Sequence, residues 1–365
     1  MMYLKGYQGP PRMVQVNRAD SPMAPECAAG KDIVTVYPNR LFFSADHYAY
    51  VLPLELVAKM QQLNTFDIIT IDDRGILDCV FEIASQDATI FITGKCNSNC
   101  VMCPTSDYER KKDGFDDDQL KKMVDMLPSD TPHIVVTGGE PTLRTSLFFR
   151  TMEQVADKFP NTEVLLLTNG RSFASLKMVE RLLAHCPQFL TVAIPIHGAD
   201  PQMHDAITRA PGSFTQTCLG LSHLLSRKVD IEIRVVVSKL NVEHLSEIAD
   251  LIANRFPSTA IVNFIGLETR GNCAKNHQEV YIDCKDSFPY VRQAVNILVE
   301  HGINTSLYNY PLCAVDDGYR SLCKKSISPW KVRFPTSCDT CSAKPYCGGF
   351  FDSTLSLAHP PVTPI

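Results

Sequence analysis

Residues 89–103 read TIFITGKCNSNCVMC: an apolar, β-branched run that stops at Gly94, then Cys96, Cys100 and Cys103 in a CxxxCxxC spacing. The run predicts a strand, and the cysteines a loop at its C-terminal end. Five more strand-like runs follow: His133–Thr137, Glu163–Thr168, Leu190–Ile196, Ile231–Ser238 and Ala260–Gly266. Several are apolar at nearly every position, the pattern of parallel strands covered on both faces. Helical stripes lie between them. Leu120, Met123, Val124 and Leu127 follow the acids Asp116, Asp117 and Asp118; Phe148, Met152, Val155 and Phe159 form a second stripe, and Leu245, Ile248, Ile252 and Phe256 a third. Strand ends fall 28 to 43 residues apart, which suits successive right-handed βα units. The expected fold is α/β, a partial (β/α)6 TIM-like barrel over residues 88–270, short of the eight strands of a closed barrel. The cysteine loop then sits at the barrel end where active sites form.

Outside that core the pattern changes. Residues 1–87 are interrupted by Pro10, Pro11, Pro22, Pro25, Pro38 and Pro53 and carry only short apolar stretches. They predict a poorly ordered start and then a small β-rich region packed on the barrel. Residues 271–365 predict a helix with Val291, Ala294, Val295 and Leu298 on one face, a strand-like Ile303–Tyr310, a cysteine-rich extension, and a loose end over residues 352–365.

Composition excludes several classes of function. Hydrophobic residues are 45% and charged residues 21% of the 365, as in soluble globular proteins rather than disordered ones. The net charge of −5 argues against nucleic acid as a partner. No apolar run approaches the ~18 residues that cross a bilayer, and the first residues lack the apolar segment of a secretion signal. These features predict a cytoplasmic protein without a membrane partner. Fourteen cysteines cannot serve there as structural disulfides. Cys27, Cys79, Cys186, Cys218, Cys273 and Cys284 stand singly and read as core or surface fillers. The other eight fall into two groups, Cys96, Cys100 and Cys103, then Cys313, Cys323, Cys338, Cys341 and Cys347.

Three thiolates in the first spacing can wrap one face of a cubic iron–sulfur cluster and leave one iron open. The plainer alternatives are a zinc site short of its fourth ligand or three unrelated loop cysteines. After the second strand comes Gly138-Gly139-Glu140-Pro141, where glycines let a ligand approach the backbone and an acid can hold an ammonium group. A CxxxCxxC after the first strand together with GGEP after the second resembles the radical S-adenosylmethionine (radical SAM) superfamily, over about residues 88–270. The resemblance implies that Cys96, Cys100 and Cys103 hold a [4Fe–4S] cluster whose open iron chelates SAM, with Gly138, Gly139 and Glu140 lining the methionyl amine. An electron from an external donor would then cleave SAM to a 5′-deoxyadenosyl radical. Two departures stand out: Met102 where many relatives carry an aromatic residue, and Ile194-Pro195-Ile196-His197-Gly198 where many carry a Ser and an Asp near the ribose. Asn169, in Thr168-Asn169-Gly170-Arg171, and Arg234 are the replacements expected at SAM; a salt bridge of Arg234 with Glu232 or Glu268 is the alternative. His197 and His204 read as solvent-facing loop histidines.

The second group, Cys338-Asp-Thr-Cys341 with Cys347 and, about two dozen residues earlier, Cys313, resembles the SPASM or twitch extension of peptide-modifying radical SAM enzymes. It implies one auxiliary [4Fe–4S] cluster on Cys313, Cys338, Cys341 and Cys347, with Cys323 as the rival fourth ligand and a four-cysteine zinc knuckle as the alternative. The strings CNSNCVMCP (96–104), TPHIVVTGGEPTL (131–143), LTNGR (167–171), EIRVV (232–236), IGLE (265–268), YNYPLC (308–313), KSISPW (325–330) and CGGFF (347–351) resemble the His-Xaa-Ser system radical SAM maturases of the HxsC type. His204-Asp205 with Gly212-Ser213-Phe214 is similar to sulfatase maturases. These likenesses imply a short, ribosomally made precursor peptide as substrate, an oxidative crosslink or dehydrogenation as the product, and leave a partner maturase open. The other readings are a small-molecule enzyme of the molybdenum-cofactor type and a non-catalytic iron–sulfur or zinc scaffold.

Overall fold

Seven short strands open the chain: β1 (Met2–Tyr3), β2 (Arg12–Arg18), β3 (Ile33–Tyr37), β4 (Arg40–Phe43), β5 (Tyr48–Val51), β6 (Ile68–Ile71) and β7 (Ile76–Phe81), with helix α1 (Leu54–Met60) between β5 and β6. The computed structural model describes residues 2–365 apart from 25–27, 29, 30, 46, 47, 86, 112, 329 and 330. The expectation for Cys27 therefore lies outside the described residues, as do Pro329 and Trp330 of the KSISPW string. The strands form one sheet in the order β1-β7-β6-β2-β3-β4-β5, antiparallel except for β2 beside β3. Its alternating residues Val14, Val16, Val34, Val36, Leu41 and Phe43 build a core of their own. The start of the chain is not loose as its prolines suggested. β1 pairs with β7, and Leu4 is fully buried, because one strand pair and one leucine are enough to tie a terminus down.

The second sheet carries the site. Its strands are β8 (Asp87–Phe91), β9 (His133–Thr137), β10 (Glu163–Leu167), β11 (Phe189–Pro195), β12 (Asp230–Val236), β13 (Ile261–Ile265), β14 (Asn304–Tyr308) and β15 (Cys323–Lys324). They lie side by side in chain order, all parallel, with registers such as Val164↔Ile134, Val164↔Leu190 and Ile233↔Val262. The sheet is a curled partial barrel. The six predicted strands are present, and β14 and the two-residue β15 extend the sheet beyond them.

Helices α2 (Asp107–Lys111), α3 (Asp117–Met126), α4 (Thr145–Lys158), α5 (Leu176–His185), α6 (Pro201–Thr208), α7 (Ser213–Ser226), α8 (Leu245–Arg255), α9 (Gly271–Lys275), α10 (His277–Val280) and α11 (Cys284–Glu300) come between or after the strands. The acids noted before α3 make a capping box: Gln119 N donates to Asp116 Oδ1 at 2.8 Å, and Asp116 N to Gln119 Oε1 at 3.1 Å. Strand residues Ile134, Val136, Val192, Ile194, Ile231, Ile233, Val262 and Phe264 share one core with the helix stripes named above. Truncating a side chain such as Phe256 or Phe264, both 0% exposed, costs about 3–5 kcal/mol. Period-two alternation turns Glu232, Arg234, Asn263 and Tyr308 to the opposite face.

Met13, Ile68 and Phe81 of the first sheet join this core beside α3. Gln15 Nε2 donates to Met126 O at 3.1 Å, and Lys122 pairs with Asp32 at 3.1 Å. After β15, strands β16 (Val332–Arg333) and β17 (Phe350–Phe351) pair antiparallel, and α12 (Asp352–Ala358) follows. The segment read as a loose end thus contains a helix, and the residues after it pack on the second cysteine group. Among the described residues no helix is long and apolar enough to cross a membrane.

Candidate functional site

Parallel strands deliver their following loops to one end of the sheet, so the loops after β8, β9, β10, β11 and β13 meet there. The loop after β8 holds Cys96, Cys100 and Cys103, half-buried and free of disulfides. Its lead-in is zipped to the glycine segment after β9: Gly139 N donates to Thr93 O at 2.7 Å and Glu140 N to Lys95 O at 2.8 Å. A Cβ on Gly138 would stand 2.4 Å from Thr93 O, and one on Gly139 2.4 Å from Gly94 O. The two glycines are thus required by backbone meeting backbone, whatever else approaches them.

Glu140 is fully buried. Its Oε1 accepts from Thr142 N at 3.1 Å, Thr142 Oγ1 at 2.6 Å and Thr168 Oγ1 at 2.8 Å, and its Oε2 from Asn169 N at 2.7 Å. Burial pushes its carboxyl above the ordinary range while these donors pull it back. The side chain therefore clasps the loops after β9 and β10 to each other. Asn169 reaches the cysteine loop, Nδ2 donating to Asn97 Oδ1 at 2.6 Å. Arg234 lies on the inner face of β12, with Nε on Glu232 Oε1 at 2.6 Å and its guanidinium 6.0 Å from the Tyr308 ring centre. That is the ion pair named as its alternative. Glu268 instead pairs with Lys331 at 3.0 Å.

Several residues that hold the loop were not among the expected site residues. Arg171 Nη1 donates to Asn97 O at 2.6 Å and Ser98 Oγ at 3.2 Å. Asn272, on α9, donates from Nδ2 to Asn99 Oδ1 and Cys100 O, both at 2.9 Å, and from N to Cys103 O at 2.9 Å. Asn276 Nδ2 donates to Val101 O at 2.8 Å. From α6, Thr208 O and Ile207 O accept from Asn99 N and Val101 N at 3.0 and 2.9 Å. Val101 and Met102 are buried beneath the loop with Ile207, Leu267, Cys273 and Val280. Polar asparagines at the end of one strand are common in any loop, so only tertiary contact reveals these.

His197 and His204 are not solvent-facing; they are 3% and 1% exposed, with ring centres 5.5 Å apart. His204 Nδ1 accepts from His197 N at 3.2 Å. The His-Asp and Gly-Ser-Phe strings have a structural use as well: Asp205 accepts from Gly212 N at 2.6 Å, Ser213 Oγ at 2.8 Å and Phe214 N at 2.7 Å, capping α7.

Among the described residues no three His, Cys, Asp or Glu side chains converge as a single metal ion requires. The donor chemistry suits a larger body. Burial pushes Cys100 up to about 12, and Cys103 and Cys96 push it further the same way, with Arg110 opposing. Three neighbouring thiolates therefore need a cationic partner, which an iron–sulfur core supplies. Ser98 N already donates toward Cys96 Sγ at 3.4 Å.

The second group forms a separate cavity. Cys313, Cys338, Cys341 and Cys347 line it, closed over by Val362–Ile365. Leu312 N and Gly349 N point at Cys347 Sγ at 3.5 and 3.4 Å. The Cys341 thiol donates to Ile365 O at 3.5 Å. Cys323 does not line the cavity; it lies on β15 in register with Leu307.

Residues 90–252 match the radical SAM superfamily. The chain is 30% identical over 164 residues to an AdoMet-dependent heme synthase of Methanosarcina barkeri, 44% of this chain and 45% of that one. It is 29% identical over 217 residues to the mycofactocin maturase MftC of Mycolicibacterium smegmatis, 58% of this chain and 51% of that one. It thus spans about half the length of these curated relatives. Streptococcus suis SuiB bound to S-adenosylmethionine shares the fold at a TM-score of 0.50 and 14% identity, over 69% of this chain and 53% of that one. The superfamily uses a [4Fe–4S] cluster and S-adenosylmethionine.

Proposed function

We propose that this protein is a radical SAM peptide maturase of the HxsC type, acting oxidatively on a short precursor peptide. Cys96, Cys100 and Cys103 are assigned to the [4Fe–4S] cluster, and Gly138, Gly139, Glu140, Asn169 and Arg234 to the SAM site. Cys313, Cys338, Cys341 and Cys347 are assigned to an auxiliary cluster. When bound, cluster and SAM supply one-electron cleavage of SAM and hydrogen-atom abstraction from an unactivated carbon.

The chain's own residues prepare that chemistry. Thr93 and Lys95 carbonyls fix the glycine segment, Glu140 locks it to Asn169, and Asn97 ties Asn169 to the cysteine loop. The glycine segment, Asn169 and the cysteine loop are therefore fixed against one another. The curl of the sheet shields a reactive species from water.

The observation that carries the reading is the four-cysteine cavity beyond the core. Four protein thiolates leave no position for a substrate ligand, which disfavours the molybdenum-cofactor type of reaction.

Two measurements test the proposal. Anaerobic incubation with dithionite and SAM should yield 5′-deoxyadenosine, and the Cys96→Ala, Cys100→Ala, Cys103→Ala triple variant should yield none. Mass spectrometry of a co-expressed precursor peptide should show loss of two hydrogens per event. Retained cleavage in the triple variant, or a peptide that gains a methyl or thiol group, refutes it.

A further inference from the structure

Helix α2 starts four residues after Cys103 and turns Arg110 back over the cysteine loop. Arg110 Nη1 donates to Asn99 Oδ1 at 2.9 Å, the same oxygen that Asn272 Nδ2 holds at 2.9 Å. Asn99 sits between Cys96 and Cys100, so the guanidinium is anchored inside the loop. Its Nε is enclosed and has no hydrogen-bond partner. Burial opposes the charge on this guanidinium, and Cys103, Cys96 and Cys100 of the loop favour it. A half-buried cation with an orphaned N–H is costly unless an acceptor arrives. Arginine cannot escape by losing its proton.

We infer that Arg110 tunes the reduction potential of the cluster held by Cys96, Cys100 and Cys103, raising it by charge and by donation toward sulfur. The inference rests on the assignment of those three cysteines made above. Its physical basis is a difference between two oxidation states. On taking one electron from the donor, the cluster with its thiolates becomes one unit more negative. A fixed positive charge therefore stabilises the reduced state more than the oxidised one. On this account Arg110 acts through the cluster, as a positioning and tuning residue. Lys95 pairs away toward Asp113 and Arg171 is spent on Asn97 O and Ser98 Oγ, whereas the Arg110 guanidinium is favoured in its charged form by Cys103, Cys96 and Cys100.

The test is an EPR-monitored redox titration without SAM, in protein carrying Cys338→Ala and Cys341→Ala so that one cluster gives the signal. Arg110→Gln should make one-electron reduction about tenfold harder, a midpoint about 59 mV more negative, and Arg110→Lys should restore much of the shift. Equal midpoints in wild type and Arg110→Gln overturn the inference. So does an equal change in both variants, which marks a purely structural role, or an unchanged midpoint with weakened SAM binding, which marks a SAM contact instead. If Arg110→Gln takes up no iron, Asn99→Asp replaces it. This variant leaves the arginine in place and sets a carboxylate against it, so it must shift the midpoint in the same direction, and no shift overturns the inference. Iron content separates the two levels. If replacing Cys96, Cys100 and Cys103 by alanine leaves iron unchanged, the assignment of the site falls and the inference with it. A cluster that forms but ignores Arg110 sinks the inference alone.

Discussion

His197 and His204 are held neutral by burial. His197 is pushed down to about 3, first by burial and then by His204; His204 is pushed down to about 4, first by burial, with Arg171 adding to the effect and Asp205 opposing it. In the unfolded chain both return to about 6.5. Below that pH the unfolded state takes up protons that the folded state refuses, so stability is complete above about 6.5 and declines as pH falls toward 4 and then 3. For His204 alone the loss is on the order of 3 kcal/mol by pH 4. Melting temperatures measured from pH 8 to pH 4 should therefore fall on the acid side, and His204→Gln, whose side-chain oxygen can still accept from His197 N, should flatten that fall. An identical acid slope in the variant would count against this account. Glu140 gives the complementary lesson, since a carboxylate expected to face a ligand spends its four contacts on Thr142, Thr168 and Asn169.

At the level of elements, α9 does more than its five residues suggest. It enters at Gly271 with φ +53°, a left-handed conformation, and a Cβ there would stand 2.4 Å from Thr105 O and 2.8 Å from Cys103 O. Strain and collision both oppose a side chain, so Gly271→Ala should destabilise the protein by about 1–3 kcal/mol. Asn272→Ala removes the donor shared by Asn99 Oδ1 and Cys100 O and should cost a similar amount. Denaturant unfolding and iron content after reconstitution check both. Each variant should bind less iron than wild type, because the loop that carries the cysteines loses its support from α9. Full iron occupancy in both would show that the loop holds its shape without α9.

At the level of the whole molecule, two cysteine groups far apart in sequence become two separate sites, and β14 and β15 decide the membership of the second. Cys313 leaves β14 into the cavity with Cys338, Cys341 and Cys347, whereas Cys323 is held in the sheet. Cys313→Ala should lower iron and sulfide content by one cluster, and Cys323→Ala should leave both unchanged; the reverse pattern would assign Cys323. The six strands, their parallel order and the helix stripes were legible in the chain, because covered parallel strands and amphipathic helices repeat at short periods that need no partner to be seen. The CxxxCxxC and GGEP pairing was legible for the same reason, as local strings at strand ends. What surrounds the cysteines was not. Arg110, Arg171, Asn272 and Asn276 are ordinary polar residues at distances of 7 to 173 positions from the cysteine loop. The burial of His197 and His204, the internal use of Glu140 and the choice of Cys313 over Cys323 in lining the cavity were equally hidden. The chain by itself determined the periodic architecture and the ligand-bearing strings. Only the tertiary structure decided which side chains face those strings, because hydrogen bonding and desolvation depend on neighbours brought together by the fold.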